Sequence, residues 1–295
     1  MGDVGVNAYA GEGKECRWEG LKDITEQEIV SLAEKYQLVD SHVHVYPEKI
    51  AGKAAEGVGN FYHIRIQNKG TVAALLEEGK RFGIHRFLIQ SVATSPEQVR
   101  GINQFIAREC GSHPNELIGF GTLHPKMQDP EEEILWIERL GLRGVKLHPD
   151  FQQFFIDDRE LYPIYERLEG RLPVLMHMGD FRYDYSHPRR LKRVLEDFPR
   201  LTVIGAHFGG WSVWDEAEKF LADTSCYVDT SSSLPFIEKE RAQGLIRAFG
   251  TERVLFGTDF PMWGYGGELK RFFSLDLTEA QFRQICSKNF MRLLQ

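Results

Sequence analysis

The segment LVDSHVHV (38–45) decides how the rest of the chain is read. It is short, rich in valine and strictly patterned, as a β-strand is. Alternate residues of a strand face opposite sides. Val39, Val43 and Val45 are therefore expected on one face, and Asp40, His42 and His44 on the other. Valines that pack outward on helices, with polar side chains directed inward, suit a strand whose far face lines a closed barrel near its mouth.

Seven more runs of this kind follow: RFLIQSV (86–92), LIGFGTL (117–123), GVKLHP (144–149), PVLMHMG (173–179), TVIGAHFG (202–209), CYVDTSS (226–232) and VLFGTDF (254–260). Helical patterns fill the gaps, several with start and stop signals. Before the first strand, TEQEIVSLAEKY (25–36) reads as a helix with Thr25 and Glu28 at capping-box spacing. Ser95-Pro96 opens another helix and Gly111 follows its end. Asp129-Pro130 opens the next, with Glu132 three past the cap and Gly141 at its close. Ser186 precedes HPRRLKRVLEDF (187–198), and Thr278 with Gln281 opens a last helix that runs through KNFMRLL (288–294).

Strands alternating with helices give a parallel sheet, and eight such units close into a (β/α)8 TIM barrel. The expectation is an α/β fold with one barrel domain over 38–295, preceded by an N-terminal extension and helix over 1–37. The competing open, doubly wound sheet lacks support, because no Gly-x-Gly-x-x-Gly follows any strand.

Bulk composition narrows the function. The 295 residues are 42% hydrophobic and carry a net charge of −7, so no nucleic-acid partner is expected. The four cysteines, Cys16, Cys110, Cys226 and Cys286, are far apart and form no Cys-x-x-Cys pair, which argues against a disulfide framework or a cysteine metal site. The polar, Gly-rich MGDVGVNAYAGEGKECRWEG (1–20) has no secretory apolar region. No apolar run approaches the roughly 18 residues that span a membrane. These readings give a soluble, cytoplasmic protein that acts on a small molecule and is compatible with a homo-oligomer.

Polar residues at the ends of the runs carry the chemistry. His177 stands between Met176 and Met178, His207 between Ala206 and Phe208, and Asp259 shares the parity of Leu255 and Gly257. One histidine in an apolar strand is usually a hydrogen-bonded core residue. Four histidines and an aspartate at the ends of four barrel strands converge on one cavity. A divalent cation relieves the crowding of poorly solvated groups, because imidazole and carboxylate are its natural ligands.

The segments VDSHVHV, RGVKLHP, VLMHMGD, VIGAHFGG and FGTDFP, with the terminal NFMRLL, resemble the amidohydrolase superfamily, in particular its branch related to aminocarboxymuconate semialdehyde decarboxylase. The resemblance implies one divalent ion per chain, zinc or another metal, held by His42, His44, His177 and Asp259. It implies that Asp259 is also general base for the attacking water, and that His207 acts on the substrate in a one-metal site or binds metal in a two-metal site. Lys146 and His148 share the inward parity of the fourth run. In two-metal relatives a lysine here is carboxylated and bridges the ions. The alternative, taken as the expectation, is an unmodified ammonium that faces a substrate carboxylate.

Arg182, with Tyr183 and Tyr185, lies in the loop DFRYDYSHPRR (180–190) and is a candidate for gripping an anionic or planar substrate. Trp211 and Trp214 are pocket walls or helix anchors. The Gly- and aromatic-rich stretch 46–68 reads as a lid or as a mobile surface loop. His63, His85, His113, His124 and His187 read as structural or surface residues. The function expected is hydrolysis of an amide, lactone or ester by a metal-activated water. The alternative is non-oxidative decarboxylation of a small unsaturated carboxylic acid. A catalytically silent binding barrel is disfavoured, since every expected ligand type is present.

Overall fold

A computed structural model describes residue 18, residues 21–64, residue 66 and residues 68–295. Most of the extension expected over 1–20, Cys16 included, lies outside the described residues. Each of the eight runs becomes parallel strand: β1 (Val39–His44), β2 (Arg86–Gln90), β3 (Leu117–Gly119), β4 (Gly121–Thr122), β5 (Val145–Leu147), β6 (Val174–Met176), β7 (Val203–Gly205), β8 (Tyr227–Asp229) and β9 (Val254–Leu255). The third run breaks at Phe120 into β3 and β4, so the ladder divides into β1-β2-β3 and β4 through β9. Hydrogen bonds close both gaps: Phe120 N donates to Ile89 O (3.1 Å), while Ser41 N to Phe256 O (2.9 Å) and His44 N to Phe260 O (2.7 Å) join the last strand to the first. The result is a TIM barrel.

The helices are α1 (Glu26–Tyr36), α2 (Glu48–Tyr62), α3 (Val72–Arg81), α4 (Val99–Ser112), α5 (Pro130–Arg139), α6 (Pro149–Gln152), α7 (Tyr162–Leu168), α8 (Pro188–Asp197), α9 (Trp214–Leu221), α10 (Lys239–Phe249), α11 (Tyr265–Phe273), α12 (Glu279–Arg283) and α13 (Asn289–Leu293). The capping boxes of α1 and α12 form as the sequence predicts, and Asp129 caps α5 through Glu132 N. Two boundary readings change. Gly111 lies inside α4, since a solvent-facing glycine is tolerated near a helix end. The cap of α8 is His187, whose ring accepts from Arg189 N (3.2 Å), because the Ser186 hydroxyl is drawn to Asp150 Oδ2 (2.6 Å). None of the described helices is long and apolar enough to cross a membrane. Cys110, Cys226 and Cys286 are free thiols.

The apolar core has two parts. A large outer cluster fills the space between strands and helices, and takes in Val43, Ile89, Met176 and Val203. A small inner one, Val39, Leu88, Phe120, Leu175, Ile204, Ala206, Leu255 and Phe290, plugs the barrel itself. Polar side chains sit two positions further along the same strands: Gln90 follows Leu88, His177 follows Leu175, and Asp259 lies beyond Leu255 and Gly257.

Strand β1 departs from simple alternation. Its register slips between Asp40, paired with Phe87, and Val43, paired with Ile89. One extra residue is a β-bulge, and it reverses parity across the slip. Val39 therefore points inward with the plug, and Asp40 points outward to Tyr265 Oη (2.8 Å) on α11 and Thr258 N (3.0 Å). The face expected to hold Asp40, His42 and His44 holds only the two histidines.

Candidate metal centre

His42, His44 and Asp259 meet at the C-terminal mouth. His42 Nε2 lies 3.3 Å from His44 Nε2, and each is 3.4 Å from Asp259 Oδ1. All three residues are buried, and Asp259 Oδ1 has no hydrogen-bond partner. An unsatisfied buried carboxylate oxygen is costly. Donor atoms sharing an ion through bonds of about 2.1 Å stand roughly 3.4 Å apart at a tetrahedral angle. The triangle and its orphaned oxygen thus fit a divalent ion.

The neighbours fix each donor. His42 Nδ1 faces Asp229 Oδ2 (2.9 Å), an arrangement in which Nδ1–H donates and Nε2 keeps its lone pair toward the triangle. Burial and the Lys146 charge bring His42 down to about 4, against Asp229 and Asp259, so the ring is neutral at ordinary pH. Asp229 Oδ1 also accepts from His207 N and Ser231 N, both at 3.0 Å, and from the Ser231 hydroxyl. Burial pushes the Asp229 carboxyl up, but His42 and His207 outweigh it and hold it at about 2. Burial likewise opposes ionisation of Asp259, yet His42, His44 and His207 keep it well below the usual carboxylate range. Its Oδ2 accepts from Ser232 Oγ (2.6 Å).

The other expected site residues are placed as follows. His207 has a left-handed backbone (φ 61°), which turns its ring back over the barrel, where it stacks on His42 with centroids 5.2 Å apart. Its Nε2 is 3.0 Å from His177 Nδ1. His177 stands beside the triangle, not in it: its Nε2 faces Gly179 O (3.1 Å), Tyr62 Oη (3.3 Å) and Asp150 Oδ2 (3.4 Å), and its ring stacks on His148. His148, Asp150 and His177 form a second buried group of ligand type, in which Asp150 Oδ1 is unpartnered and burial raises the carboxyl to about 7.

Lys146 is fully buried behind His42, with Nζ 3.1 Å from His42 Nε2, and is absent from the cavity wall. Burial lowers it to about 8 although Asp259 and Asp229 favour its charge. Arg182 is also away from the cavity wall. Its guanidinium binds Asp180 in two-point fashion (2.9 and 2.6 Å) and donates to Phe61 O (2.8 Å) at the end of α2. Neither basic group is presented to the cavity as the sequence reading expects: one is taken up by His42 and the other by a carboxylate two residues away.

A cavity of about 690 Å³ opens over the cluster and is lined by His44, His148, His177, His207 and Asp259 among others. The stretch read as a lid or loop is the helix α2, and its Tyr62 reaches His148 Nε2 (3.1 Å). Trp211 is a cavity wall, whereas Trp214 is an anchor, its Nε1 donating to His207 O (3.1 Å). Sequence reading missed Asp229, Ser231, Tyr62 and Asp150. Asp229 carries the same mark as the residues that were singled out, a carboxylate at a strand end, in CYVDTSS.

Comparison with known proteins gives the family and supports the fold. A family model described as amidohydrolase matches residues 39–295. Gamma-resorcylate decarboxylase of Polaromonas sp. (strain JS666 / ATCC BAA-500) is 24% identical over 262 residues, 70% of this chain and 80% of that protein. The dihydroxybenzoic acid decarboxylase structure from Polaromonas sp. JS666, with bound manganese and the inhibitor 2-nitroresorcinol, superposes with a TM-score of 0.69 at 16% identity, over 87% of this chain and 96% of that one. A probable 2-pyrone-4,6-dicarboxylic acid hydrolase from Acinetobacter baumannii, with citric acid bound, gives 0.64 at 15% identity, over 88% and 99%. The family match spans the whole barrel, with His42, His44 and Asp259 inside it, and the chain belongs to the amidohydrolase family of TIM-barrel enzymes.

Proposed function

We propose that the enzyme hydrolyses an amide, lactone or ester of a small molecule, using one divalent ion per chain, zinc in the first instance, at His42, His44 and Asp259. The observation that carries this reading is the unpartnered Asp259 Oδ1 facing two imidazole nitrogens at 3.4 Å. His177, beside this triangle, would complete the ligand set through Nδ1, which faces His207 Nε2 (3.0 Å) here and keeps a lone pair when Nε2–H donates to Gly179 O. A divalent ion there supplies Lewis acidity, lowering the pKa of water and polarising a carbonyl.

The chain's own groups do the rest. Asp259 is ionised, so Oδ1 accepts a proton from the attacking water and returns it to the leaving nitrogen or oxygen. One acyl bond to that atom breaks, one bond from carbon to the water oxygen forms, and acid plus amine or alcohol result. His207 faces the cavity, and Ser231 offers its Nδ1 both a hydroxyl (2.9 Å) and a carbonyl (3.0 Å). The hydroxyl donates to Asp229 in this structure; rotated onto His207 Nδ1 it leaves the proton on Nε2, which can then present it to the substrate oxygen as charge develops.

Decarboxylation is the second reading, favoured by the named decarboxylase relatives. Hydrolysis is preferred because, among the described residues, no lysine or arginine lines the cavity to hold a carboxylate. The test is product chemistry on zinc- and manganese-loaded enzyme. Hydrolysis incorporates one oxygen from labelled water and releases no carbon dioxide; carbon dioxide without water uptake would establish the lyase instead. Asp259→Asn is expected to cut turnover by at least about a hundredfold; full activity in that variant would remove Asp259 from the chemistry.

A further inference from the structure

The cavity is large and its walls are mostly hydrocarbon. About 690 Å³ is between four and five times the roughly 150 Å³ apolar cavity that benzene fills. Ile50 and Val58 of α2, Ile102 and Phe105 of α4, Trp211 and Trp263 form its walls. Besides the His/Asp cluster, Tyr46 and Tyr62, polar side chains are few: Ser91, Thr94, Glu97, Gln98 and Ser232. Of these, the Ser91 hydroxyl is held by Val45 O, and the Ser232 hydroxyl by Asp259. A one-ring substrate would leave most of this apolar surface wet, which forfeits about 25 cal/mol for each Å² that a larger ligand would cover. Ile50 is half exposed at the rim, so the apolar lining reaches solvent and a long group has a way in.

We propose that the substrate carries a bulky apolar group, a medium-length alkyl chain or a multi-ring aryl system, attached to the carbonyl that reaches the His/Asp cluster. The group lies between α2 and α4 and against Trp211 and Trp263. This names the substrate class within the hydrolase reading and rests on it only for the reaction, since the apolar subsite follows from the walls alone.

Two glycines give a clean way to test the space. Gly57 in α2 and Gly101 in α4 both line the cavity, and a Cβ at either position meets nothing within 4 Å. Both are exposed, so a larger side chain at either starts in open space at the cavity rim, and it raises helix propensity. Zinc-loaded enzyme is assayed on p-nitrophenyl acetate, butyrate, hexanoate and octanoate. Complete burial of a methylene corresponds to about fourfold in kcat/KM, so a rise of about two- to fourfold per added carbon is expected. In Gly101→Phe the octanoate-to-acetate ratio should fall tenfold or more. A second arm reads binding without turnover: titration of methyl ketones from butanone to decanone against the fluorescence of Trp211 and Trp263. Affinity that climbs with chain length and collapses in Gly101→Phe sustains the proposal even if no ester is cleaved, in which case only the hydrolase reading fails. Flat chain-length dependence in both arms, or a Gly101→Phe variant that discriminates as the parent does, overturns it.

Discussion

Gly257 tests whether His42 belongs to the metal centre. It lies just beyond β9, two residues before Asp259, and faces His42, Ser231 and Asp229. A Cβ built at Gly257 stands 2.9 Å from His42 Cβ, 3.4 Å from Ser231 Cβ and 3.5 Å from Asp229 Cβ. Carbon atoms rest at about 3.5–4.0 Å, so Gly257→Ala requires His42 to retreat by about half an ångström or more. No rotamer relieves the contact, because the atoms in conflict are the Cβ atoms themselves. Retreat is resisted by Asp229, which holds His42 Nδ1 at 2.9 Å. Overpacking of this kind costs about 1–3 kcal/mol, and each kcal/mol lowers the melting temperature by roughly 2–4 °C in a large domain. The same displacement opens the 3.3–3.4 Å triangle. Loss of comparable support around a metal ligand lowers affinity about 10–100-fold. Zinc affinity by chelator competition and melting by calorimetry would be measured together, with Gly101→Ala as control. That control adds a methyl into open space and is expected to stabilise by about 0.5–1 kcal/mol. A Gly257→Ala protein that melts early but binds zinc within twofold of the parent would refute the assignment of His42 as ligand. One that also melts normally would refute the packing argument.

Lys146 should impose a pH step on metal binding. As an ammonium, its Nζ donates to His42 Nε2 and occupies the lone pair an ion needs. Its native value is lowered to about 8 from 10.5, so zinc affinity should rise with pH, by at most about tenfold per unit, and level off above about pH 8. Between those two values the unfolded chain holds the extra proton, and conformational stability therefore rises with pH across that window. Lys146→Met should abolish both slopes; a metal titration with the same step in that variant would assign it to another group. Arg182→Met should free the end of α2 and leave Asp180 buried without its partner, at a cost of about 1–3 kcal/mol for a partly exposed pair. Faster hydrogen exchange over 48–62 and a higher KM with unchanged metal content are expected, and a loss of metal would show that Arg182 supports the centre itself.

Periodicity made the barrel legible. Each of the eight apolar runs is a strand because local alternation and barrel burial demand the same residues. The β1 bulge was not legible, since DSHVH reads as regular alternation until pairing with β2 shows the slip. For the site, a polar residue at a strand end singles out His42, His44, His177, His207 and Asp259, which the structure buries side by side at the mouth. Partners brought in by distant segments were hidden. Tyr62 reaches the cluster only because α2 folds over the mouth, and Arg182 is turned from the cavity only because Asp180 and Phe61 O compete for it. Those outcomes depend on tertiary contacts that spacing along the chain does not encode.

The buried carboxylates at the mouth separate into those that position and those with capacity left over. Asp40 accepts from His42 N and Thr258 N through Oδ1 and from Thr258 Oγ1 and Tyr265 Oη through Oδ2, tying the bulge to the turn that carries Asp259. Asp229 is equally committed, to His42 on one oxygen and to His207 N and Ser231 on the other. Both act by holding imidazoles and backbone, including the left-handed residues His207 (φ 61°) and Asp259 (φ 68°), conformations that cost on the order of 1 kcal/mol each and persist only where surrounding contacts enforce them. Asp150 keeps Oδ1 free, but it is absent from the cavity wall, with its other oxygen on Ser186 and facing His177. Asp259 alone among these four combines an unpartnered oxygen with a place on the cavity wall. The barrel thus uses two carboxylates to hold in place the one whose free oxygen meets the histidine nitrogens at the cavity wall.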